Sequence, residues 1–337
     1  MKALVCTQPG SLEYTEMPYP ILQNGYSIIQ IKRIGICGTD LHAYDGTQPY
    51  FNYPRILGHE LAANFVKGDA NDFIAGEPLI IIPYLNCGQC IACRNNKPNC
   101  CVSLQVCGVH IDGGMQEYYT VPSYALIKSN GLTHDELAMV EPLSIGAHAV
   151  RRAAVQKDEF VLVIGAGPIG LGTMEFAKIA GGNVIALDIN ANRLEFCKQR
   201  LDIQHTINAA EENVLEQLKD ITNGDMPVVV MDATGNQRAI NNALQYVAHG
   251  GRFILVGLQK QEISFSHPEF HKREATLMSS RNATRHDFEH VINSIKNKWV
   301  DPSKYITHRF TFDELKNRFE TWPEIVGNVI KAIVELD

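Results

Sequence analysis

Four cysteines that lie close together in a polar stretch of the chain could bind a metal ion. Cys87, Cys90, Cys93 and Cys101 follow the spacing C-x2-C-x2-C-x7-C. Four thiolates on one short lobe match the closed tetrahedral ligand set of a structural zinc ion. The lobe has too few apolar residues for a core of its own, so we expect the metal to order it. Cys100 is adjacent to Cys101 and could replace it as a ligand, although the spacing favours Cys101.

Two other interpretations of these cysteines are free thiols in a loop and a redox pair. A redox C-x-x-C motif opens a thioredoxin-like helix, and the flanking sequence does not provide that context. The remaining Cys6, Cys107 and Cys197 are isolated in the sequence. We predict that they are small buried side chains rather than reactive groups.

A second set of potential metal ligands combines sulfur, nitrogen and carboxylate oxygen. Cys37 lies in the stretch GICGTDLH, His59 and Glu60 are adjacent, and Glu141 comes much later. A thiolate, an imidazole and one or two carboxylates form a zinc site that a small ligand can still enter. A histidine beside a glutamate is also common at protein surfaces and helix caps, so spacing alone leaves this assignment open.

A glycine-rich turn predicts a nucleotide site. Residues 161–170 have the sequence VLVIGAGPIG, an apolar strand followed by G-x-G-x-x-G, and a helical pattern covers 171–180. In this context the glycines permit a tight turn, close approach of a pyrophosphate and close packing of the helix. The helix N-terminus offers N–H groups to the phosphates. The cofactor-binding residues that we assign to this turn are Gly165, Gly167, Pro168, Ile169 and Gly170.

The next apolar strand, over 184–187, ends at Asp188, where a ribose-binding acid is expected. A carboxylate there accepts hydrogen bonds from the ribose hydroxyls and repels a 2′-phosphate, which favours NAD over NADP. Further cofactor contacts are expected where later strands end, and we assign Val256, Gly257 and Leu258 to them. The alternative is that the glycine turn belongs to an unrelated α/β domain and that Asp188 follows it by chance.

The elements that must position these residues change in character along the chain. Short β-like segments broken by Gly and Pro, such as 2–7 and 25–34, dominate the first part. From about Gly146, strands alternate with helices, which is typical of a doubly wound parallel sheet. The predicted strands are 161–164, 184–187, 228–231 and 252–256, and the predicted helices are 193–200, 211–221 and 237–248. A helix near 286–297 and a strand near 329–335 follow, so we predict a β-rich domain that contains an inserted nucleotide domain.

Composition limits the class of protein. The 337 residues are enough for two domains with cores, and 45% hydrophobic with 20% charged residues is ordinary for a globular protein. The net charge of −7 argues against nucleic acid or an anionic membrane as partner. The sequence has no signal-peptide pattern and no apolar run of about 18 residues, so we expect a cytoplasmic location. Metal ligation and burial then explain nine cysteines better than disulfides.

Taken together, these motifs resemble the zinc-dependent medium-chain alcohol dehydrogenases. The segments that carry the resemblance occur in family order at 35–42 (GICGTDLH), 58–60 (GHE), 87–101, 112–118 (DGGMQEY), 141–143 (EPL) and 161–170. The resemblance covers nearly the whole chain. It implies a GroES-like catalytic domain over 1–144, a Rossmann NAD-binding domain over 145–281, and a C-terminal segment over 282–337 that returns to the catalytic domain. It also implies NAD and two zinc ions per chain, one catalytic and one structural.

The resemblance implies roles for the mixed ligand set. Cys37 and His59 correspond to catalytic zinc ligands. Glu141 stands where the alcohol dehydrogenases proper have a cysteine, and together with Glu60 it resembles the polyol and threonine dehydrogenase branch. The two glutamates could exchange at the metal, and the sequence leaves open which of them binds at rest.

Three further residues receive roles from the resemblance, and general principles of metal sites and helix caps suggest a role for a fourth. Thr39 and His42 occupy the positions of a proton relay that runs from a threonine hydroxyl through the nicotinamide ribose to a histidine, although His42 could instead make a structural hydrogen bond. Arg193 corresponds to a residue beside the adenine or its ribose; its alternative is a surface charge at a helix N-terminus. Asp40 could orient a zinc ligand or cap a helix.

Segments 46–55, 267–284 and 307–309 resemble the bacterial sugar-acid dehydrogenases of the L-galactonate 5-dehydrogenase type. This implies oxidation of a secondary alcohol in a polyhydroxylated acid such as L-galactonate or L-gulonate. An arginine could clamp the carboxylate of such a substrate with paired hydrogen bonds. The candidate arginines are Arg55, Arg281, Arg285 and Arg309. We assign Arg281 and Asn282 to the substrate.

Other functions share parts of this pattern. A polyol (sorbitol-type) or L-threonine 3-dehydrogenase would have the same catalytic residues. A catalytically silent NAD-binding protein would have lost zinc ligands, whereas Cys37, His59, Glu60 and Glu141 are all present. A nucleic-acid-binding zinc module would require a basic surface, and the net charge of −7 argues against one. The resemblance also implies a homotetramer or homodimer, with subunits paired through an edge strand near 262–265.

Overall fold

A computed structural model of the chain describes residues 1–49, 51–211, 213–325, 327 and 329–336. The predicted helix over 211–221 includes Glu212, and the sugar-acid segment 46–55 includes Tyr50; these two residues lie outside the described ones. By its internal contacts the chain forms two compact units. The first comprises Met1–Glu141 and Thr284–Asp337, and the second comprises Pro142–Ala283.

The secondary-structure elements are numbered along the whole chain. The strands are β1 (Lys2–Gln8), β2 (Ser11–Glu16), β3 (Tyr26–Gly35), β4 (Arg55–Ile56), β5 (Glu60–Gly68), β6 (Pro78–Ile81), β7 (Tyr84–Leu85), β8 (Gln105–Val106), β9 (Tyr118–Pro122), β10 (Leu126–Lys128), β11 (Phe160–Ile164), β12 (Asn183–Asp188), β13 (His205–Asn208), β14 (Val229–Asp232), β15 (Arg252–Leu255), β16 (Thr276–Ser279), β17 (Ile306–Thr311) and β18 (Lys331–Glu335). The helices are α1 (Gly38–Tyr44), α2 (Ile91–Arg94), α3 (His134–Ala138), α4 (Val140–Ala153), α5 (Pro168–Ile179), α6 (Ala191–Leu201), α7 (Val214–Ile221), α8 (Gln237–Ala243), α9 (His267–Lys272), α10 (Arg285–Lys296), α11 (Leu315–Glu320) and α12 (Trp322–Ile325). Among the described residues, no helix is both long and apolar enough to cross a membrane.

The first unit is organised around β3, whose sequence YSIIQIKRIG is rich in β-branched residues that favour a strand. It lies in a sheet of order β10-β6-β5-β3-β18-β17, and β9 also pairs with it. The isoleucines of β3 are fully buried, so both faces of the strand are covered. The antiparallel pairing of β3 with β5 and β18 brings the start of β5 and the C-terminal strand to the same end of β3.

A two-stranded ladder supports the cysteine lobe within the first unit. β7 pairs antiparallel with β8, with Tyr84 opposite Val106. The chain between these strands contains α2 and a 3₁₀ turn at Pro98–Cys100. The lobe is therefore a long excursion whose two ends are fastened at its base.

The second unit contains a parallel sheet of order β13-β12-β11-β14-β15-β16 among the described residues. Counted within this unit, the order is third, second, first, fourth, fifth and sixth, which is the dinucleotide-binding arrangement. This sheet, together with the β-rich first unit, confirms the predicted fold class. The order reverses between β11 and β14, where such sheets open a crevice at the carboxyl ends of their strands.

The predicted edge strand near 262–265 is wrong for the described chain, because these residues form no strand. Their polar backbone groups are hydrogen-bonded by side chains of α8 instead. The Gln237 side chain donates to the Glu262 carbonyl at 2.6 Å, and the Ser264 N–H donates to the Asn241 side chain at 2.9 Å. Ile263 packs against the core of the second unit, so the segment is attached through side chains rather than through a ladder.

Candidate active site

The mixed ligand set predicted from the sequence comes together in the first unit. Cys37 precedes α1 as its N-cap residue, His59 lies immediately before β5, and Glu60 is the first residue of β5. One potential ligand atom from each of the three lies within 4.8 Å of the others. His59 and Glu60 are buried and Cys37 is half-buried, so the group is set into the protein interior.

Asp40 fixes the local geometry of this group. One of its carboxylate oxygens accepts the Cys37 N–H at 2.9 Å, and the other accepts the Gly58 N–H at 3.1 Å. The second oxygen also lies 3.8 Å from Nδ1 of His59. Both roles predicted for Asp40 are therefore compatible with its contacts, since it caps α1 and also lies beside a potential metal ligand.

Lys331, to which no sequence motif assigns a role, binds Glu60. Its Nζ donates to both carboxylate oxygens of Glu60, at 2.6 and 2.7 Å, and to the Ile36 carbonyl at 3.1 Å. Burial disfavours the charge, but the Glu60 carboxylate outweighs this effect and the pKa of Lys331 is raised. A Cβ at Gly35 would lie 2.0 Å from Oε2 of Glu60, so the glycine makes room for the carboxylate. Lys331 begins the strand KAIVE and is followed by three apolar residues, and this pattern is the signal that could have revealed the pair.

Glu141 is buried nearby and has a different partner. The Tyr84 hydroxyl donates to its Oε1. Burial, together with the neighbouring Glu60 charge, raises the pKa of Glu141 to about 7. Among the described residues, Glu141 does not belong to the close group formed by Cys37, His59 and Glu60. The role of Tyr84 was also missed, because no local pattern links residue 84 to residue 141.

The chemistry of this pocket fits a divalent cation. Three buried carboxylates and a thiol lie at this site, and Lys331 is the buried lysine that faces them among the described residues. Burial opposes a proton on His59, yet the charges of Cys37 and Asp40 hold the pKa of His59 well above its usual value. Nδ1 of His59 is buried and has no hydrogen-bond partner among the described residues. A metal ion held by sulfur, imidazole nitrogen and carboxylate oxygen would compensate this negative charge, and this ligand set suits zinc.

The four cysteines of the lobe also converge as expected. Cys87, Cys90, Cys93 and Cys101 form the second group of potential metal ligands, each contributing sulfur within 4.8 Å of the others. Cys101 belongs to this group and its neighbour Cys100 does not. Backbone N–H groups of Cys93 and Val102 lower the pKa of Cys90 to about 6, which favours the thiolate that zinc requires. The set has the composition of a closed tetrahedral zinc site.

The two residues predicted for a proton relay lie on α1. Thr39 is half-buried and His42 is exposed. Because they are three positions apart, they share one face of the helix. Nδ1 of His42 lies 2.9 Å from the Thr47 hydroxyl, which orients the ring. Their part in proton transfer remains a prediction.

The second unit contains a cavity of about 1080 Å³ at the switch point of its sheet. Gly165, Gly167, Asp188 and Arg193 line it, together with Thr234 and Gly235 from the loop after β14. Gly165 has φ of +98°, and a Cβ at Gly170 would lie 1.8 Å from the Gly165 carbonyl oxygen. The turn and the close helix packing therefore depend on these glycines. Pro168 is in the first turn of α5, so this helix begins before the predicted start at 171.

Asp188 is fixed at the mouth of the glycine turn. Its Oδ2 accepts the Ala166 N–H at 2.6 Å, and its Oδ1 accepts the Asn190 N–H at 2.8 Å. Nε of Arg193 is buried and has no hydrogen-bond partner among the described residues, which is compatible with a ligand contact.

Several residues predicted for the cofactor do not line the cavity itself. Gly170 packs below the turn, and Pro168 and Ile169 form the first turn of α5. The N–H groups of Val256 and Gly257 both donate to the Asp232 carbonyl at 2.9 Å, which fixes this segment beside the loop after β14. Leu258 is 70% exposed.

The candidate substrate arginines differ in their partners. Arg55 donates to Asp112 at 3.3 Å, Arg285 to the Leu126 carbonyl at 3.2 Å, and Arg309 to Glu335 at 2.8 Å. Arg281 is exposed in the loop after β16, next to Asn282, whose buried Nδ2 has no partner among the described residues.

Comparison with known proteins identifies the family. The alcohol dehydrogenase GroES-like domain model matches residues 23–131, and the zinc-binding dehydrogenase model matches residues 168–297. The chain is 41% identical over 338 residues to L-galactonate-5-dehydrogenase from Escherichia coli strain K12, with 99% of this chain and 98% of that protein covered. It is 37% identical over 335 residues to an uncharacterized zinc-type alcohol dehydrogenase-like protein from Haemophilus influenzae, with 98% and 97% covered.

A solved structure gives the same result. The short chain alcohol dehydrogenase rspB from Escherichia coli CFT073, determined in complex with NADH, matches with a TM-score of 0.93 and 28% identity. The match covers 100% of this chain and 99% of that one. The predicted resemblance is therefore confirmed, and zinc and NAD are the cofactors of the family. The chain belongs to the zinc-type medium-chain alcohol dehydrogenases, and it is an NAD-dependent oxidoreductase of their polyol and sugar-acid branch.

Proposed function

We propose that this enzyme oxidises a secondary alcohol of a polyhydroxylated acid, such as L-galactonate or L-gulonate, by hydride transfer to NAD. The observation that carries this proposal is the 41% identity, over 99% of the chain, to a protein named L-galactonate-5-dehydrogenase. The retained Cys37, His59 and Glu60 group supports catalysis rather than a silent NAD-binding role.

Each unit would bind a different cofactor. Cys37, His59 and one of Glu60 and Glu141 would hold zinc, which when bound supplies a Lewis acid that makes a hydroxyl more acidic. The cavity in the second unit would hold NAD, which accepts the hydride. Asp188 would accept hydrogen bonds from the adenosine ribose, and Arg193 would lie beside the same nucleoside.

The oxidation also releases a proton, which must reach solvent. The Thr39 hydroxyl would accept a hydrogen bond from the reacting hydroxyl and pass the proton on towards solvent. His42 is exposed on the same helix face, and histidine exchanges protons readily near neutral pH. The proton would leave through this face of α1, while the hydride remains on NAD.

Arg281 is the candidate to bind the substrate carboxylate. It lies in segment 267–284, which is one of the segments that resemble the sugar-acid dehydrogenases. A guanidinium forms paired hydrogen bonds with a carboxylate, and such charge-assisted bonds are strong. Asn282 would contribute its Nδ2, which has no partner among the described residues, to a substrate hydroxyl.

A steady-state substrate panel tests the proposal. We expect kcat/KM for L-galactonate or L-gulonate with NAD to exceed that for sorbitol or L-threonine by at least about 100-fold, since polar sites discriminate strongly. Arg281→Ala should raise KM for the acids by roughly 10- to 100-fold. Arg309→Ala is the matched control and should leave KM unchanged. Faster turnover of sorbitol or L-threonine would instead support a polyol or amino-alcohol dehydrogenase.

We also propose that the enzyme is a homodimer or homotetramer, as the family resemblance implies. Leu258 and Phe265 are exposed apolar side chains on the second unit, 70% and 43% accessible, and subunit contact would cover them. Light scattering of the purified protein measures the number of subunits. A monomer at micromolar concentration would contradict this part of the proposal.

A further inference from the structure

Tyr84 is a buried side chain that contacts the candidate metal site, although its position in the sequence gave it no role. Its ring packs edge-on against Phe288, with the ring centroids 6.2 Å apart. Its hydroxyl donates to Oε1 of Glu141. A buried tyrosine hydroxyl normally requires a partner, and here the partner is one of the two carboxylates available to the metal.

The backbone around Tyr84 is held on both sides. The Ile82 N–H donates to the Ala125 carbonyl at 2.8 Å, and the Pro83 carbonyl accepts the Cys107 N–H at 3.0 Å. Tyr84 itself pairs with Val106 in the ladder at the base of the cysteine lobe. The hydroxyl therefore projects towards Glu141 from a fixed backbone rather than from a mobile loop.

The two glutamates are restrained in different ways. Both oxygens of Glu60 are occupied by Lys331, whose ammonium competes with a metal ion for the same carboxylate. Tyr84 occupies only Oε1 of Glu141, and its phenol adds no positive charge. A neutral donor on one oxygen orients a carboxylate while leaving its negative charge available for a cation.

We propose that Tyr84 is a positioning residue for the catalytic metal, because its hydroxyl turns the second oxygen of Glu141 towards an ion held by Cys37 and His59. This inference rests on the metal site of the proposed function. Partners that orient a metal-binding side chain typically contribute a factor of about 10–100 in metal affinity.

Metal titration of the whole protein tests the inference. The catalytic site is emptied by dialysis against a chelator, and zinc affinity is measured by competition with a chromophoric chelator. Cobalt placed in the catalytic site alone, with zinc kept in the cysteine lobe, adds an absorption band that reports the Cys37 thiolate. Tyr84→Phe keeps the aromatic ring, and we expect it to weaken metal binding by about 10- to 100-fold and to alter the cobalt spectrum.

Tyr119→Phe is the matched control. Tyr119 is also buried in the first unit, but its hydroxyl donates to the Asp112 carbonyl at 2.5 Å. This variant should retain the affinity and the spectrum of the unmodified protein. A double variant of Tyr84→Phe with Glu141→Gln should bind metal no more weakly than Glu141→Gln alone, because the hydroxyl acts through that carboxylate.

The possible results separate the two claims. If Tyr84→Phe binds metal as tightly as the unmodified protein while Cys37→Ser loses one metal, the role of Tyr84 is disproved and the metal site stands. An additive effect in the double variant also disproves it. If Cys37→Ser keeps the full metal content, the proposed catalytic site itself is wrong.

Discussion

The two clusters of potential metal ligands in the first unit are built in opposite ways. In the lobe, four cysteines lie between residues 87 and 101, and none of Cys87, Cys90 and Cys93 is buried. In the mixed cluster, formed by Cys37, His59 and Glu60, Cys37 precedes α1 and Glu60 begins β5. Lys331, which binds Glu60, comes from β18. One cluster is local and mostly outside the core, whereas the other is assembled from distant segments of a sheet.

This difference indicates what each cluster needs from a metal. The lobe contains few buried apolar residues, so a metal would hold its chain together. The mixed cluster stands on a sheet whose core already fixes its backbone. There the metal would compensate charge, because the Lys331 ammonium faces three buried carboxylates and a thiol. We therefore expect metal loss to affect stability in the lobe and activity in the mixed cluster.

Replacing one ligand in each cluster is the strongest test of this comparison. Cys37→Ser should lower kcat/KM by more than about 10³-fold, since Lewis-acid stabilisation is worth several kcal/mol, while the thermal midpoint changes little. Cys101→Ser should release the other zinc and lower stability by about 4 kcal/mol, part of what structural zinc contributes.

Metal analysis, thermal unfolding and hydrogen exchange over residues 87–101 measure these effects. Cys100→Ser is the matched control, because this cysteine is exposed and lies outside the ligand group. A stable, fully exchange-protected lobe in Cys101→Ser would contradict the comparison.

The buried ion pair of the mixed cluster should give the next largest effect. Lys331→Met leaves the Glu60 carboxylate buried without its cation, and breaking such a pair costs about 3–5 kcal/mol. Denaturant unfolding of the metal-free protein should show this loss. The loss should shrink when zinc is bound, because the ion then balances Glu60. Lys331→Met with Glu60→Gln should recover most of the stability, and failure to do so would mean that lost packing rather than charge is responsible.

What could be predicted from the sequence follows the same division between local and assembled features. The glycine turn and the cysteine spacing are local patterns, and the structure brings their residues together as expected. Lys331 and Tyr84 could not be predicted, because their meaning depends on Glu60 and Glu141, which are far away in the chain. The parallel order of the sheet followed from the alternation of strands and helices.

The errors in the prediction also have physical causes. β13 (HTIN) and β16 (TLMS) were missed because each is short and half polar, and only pairing with a neighbour identifies it as a strand. The segment 262–265 has a strand-like composition, but side chains of α8 occupy its backbone groups. Tertiary contacts therefore produced strands where the local sequence does not favour them, and prevented one where the composition does.

The space around Glu60 gives a smaller and sharper test. Gly35→Ala places a Cβ 2.0 Å from the Glu60 carboxylate, which is already held by Lys331, so something must shift. Overpacking of this kind costs typically about 1–3 kcal/mol, and denaturant unfolding measures it. Gly38→Ala is the control, since a Cβ there meets nothing within 4 Å among the described residues. Equal effects of the two substitutions would show that Glu60 is not closely confined.

The smallest expected effect comes from an ion pair at the surface of the same unit, which contrasts with the buried pair of Lys331 and Glu60. Burial opposes ionisation of Asp135, but hydrogen bonds from Arg309 and Arg33 outweigh it and hold the pKa of Asp135 below its usual value. A lowered carboxyl pKa contributes stability above the unfolded-state pKa of about 3.9, and this contribution disappears as the pH falls through the folded-state value. Asp135→Asn should therefore cost about 0.2–1 kcal/mol at pH 7, with the difference from the unmodified protein shrinking below about pH 4. Urea unfolding at both pH values measures this difference, and a loss as large as that of Lys331→Met would remove the distinction between buried and exposed pairs.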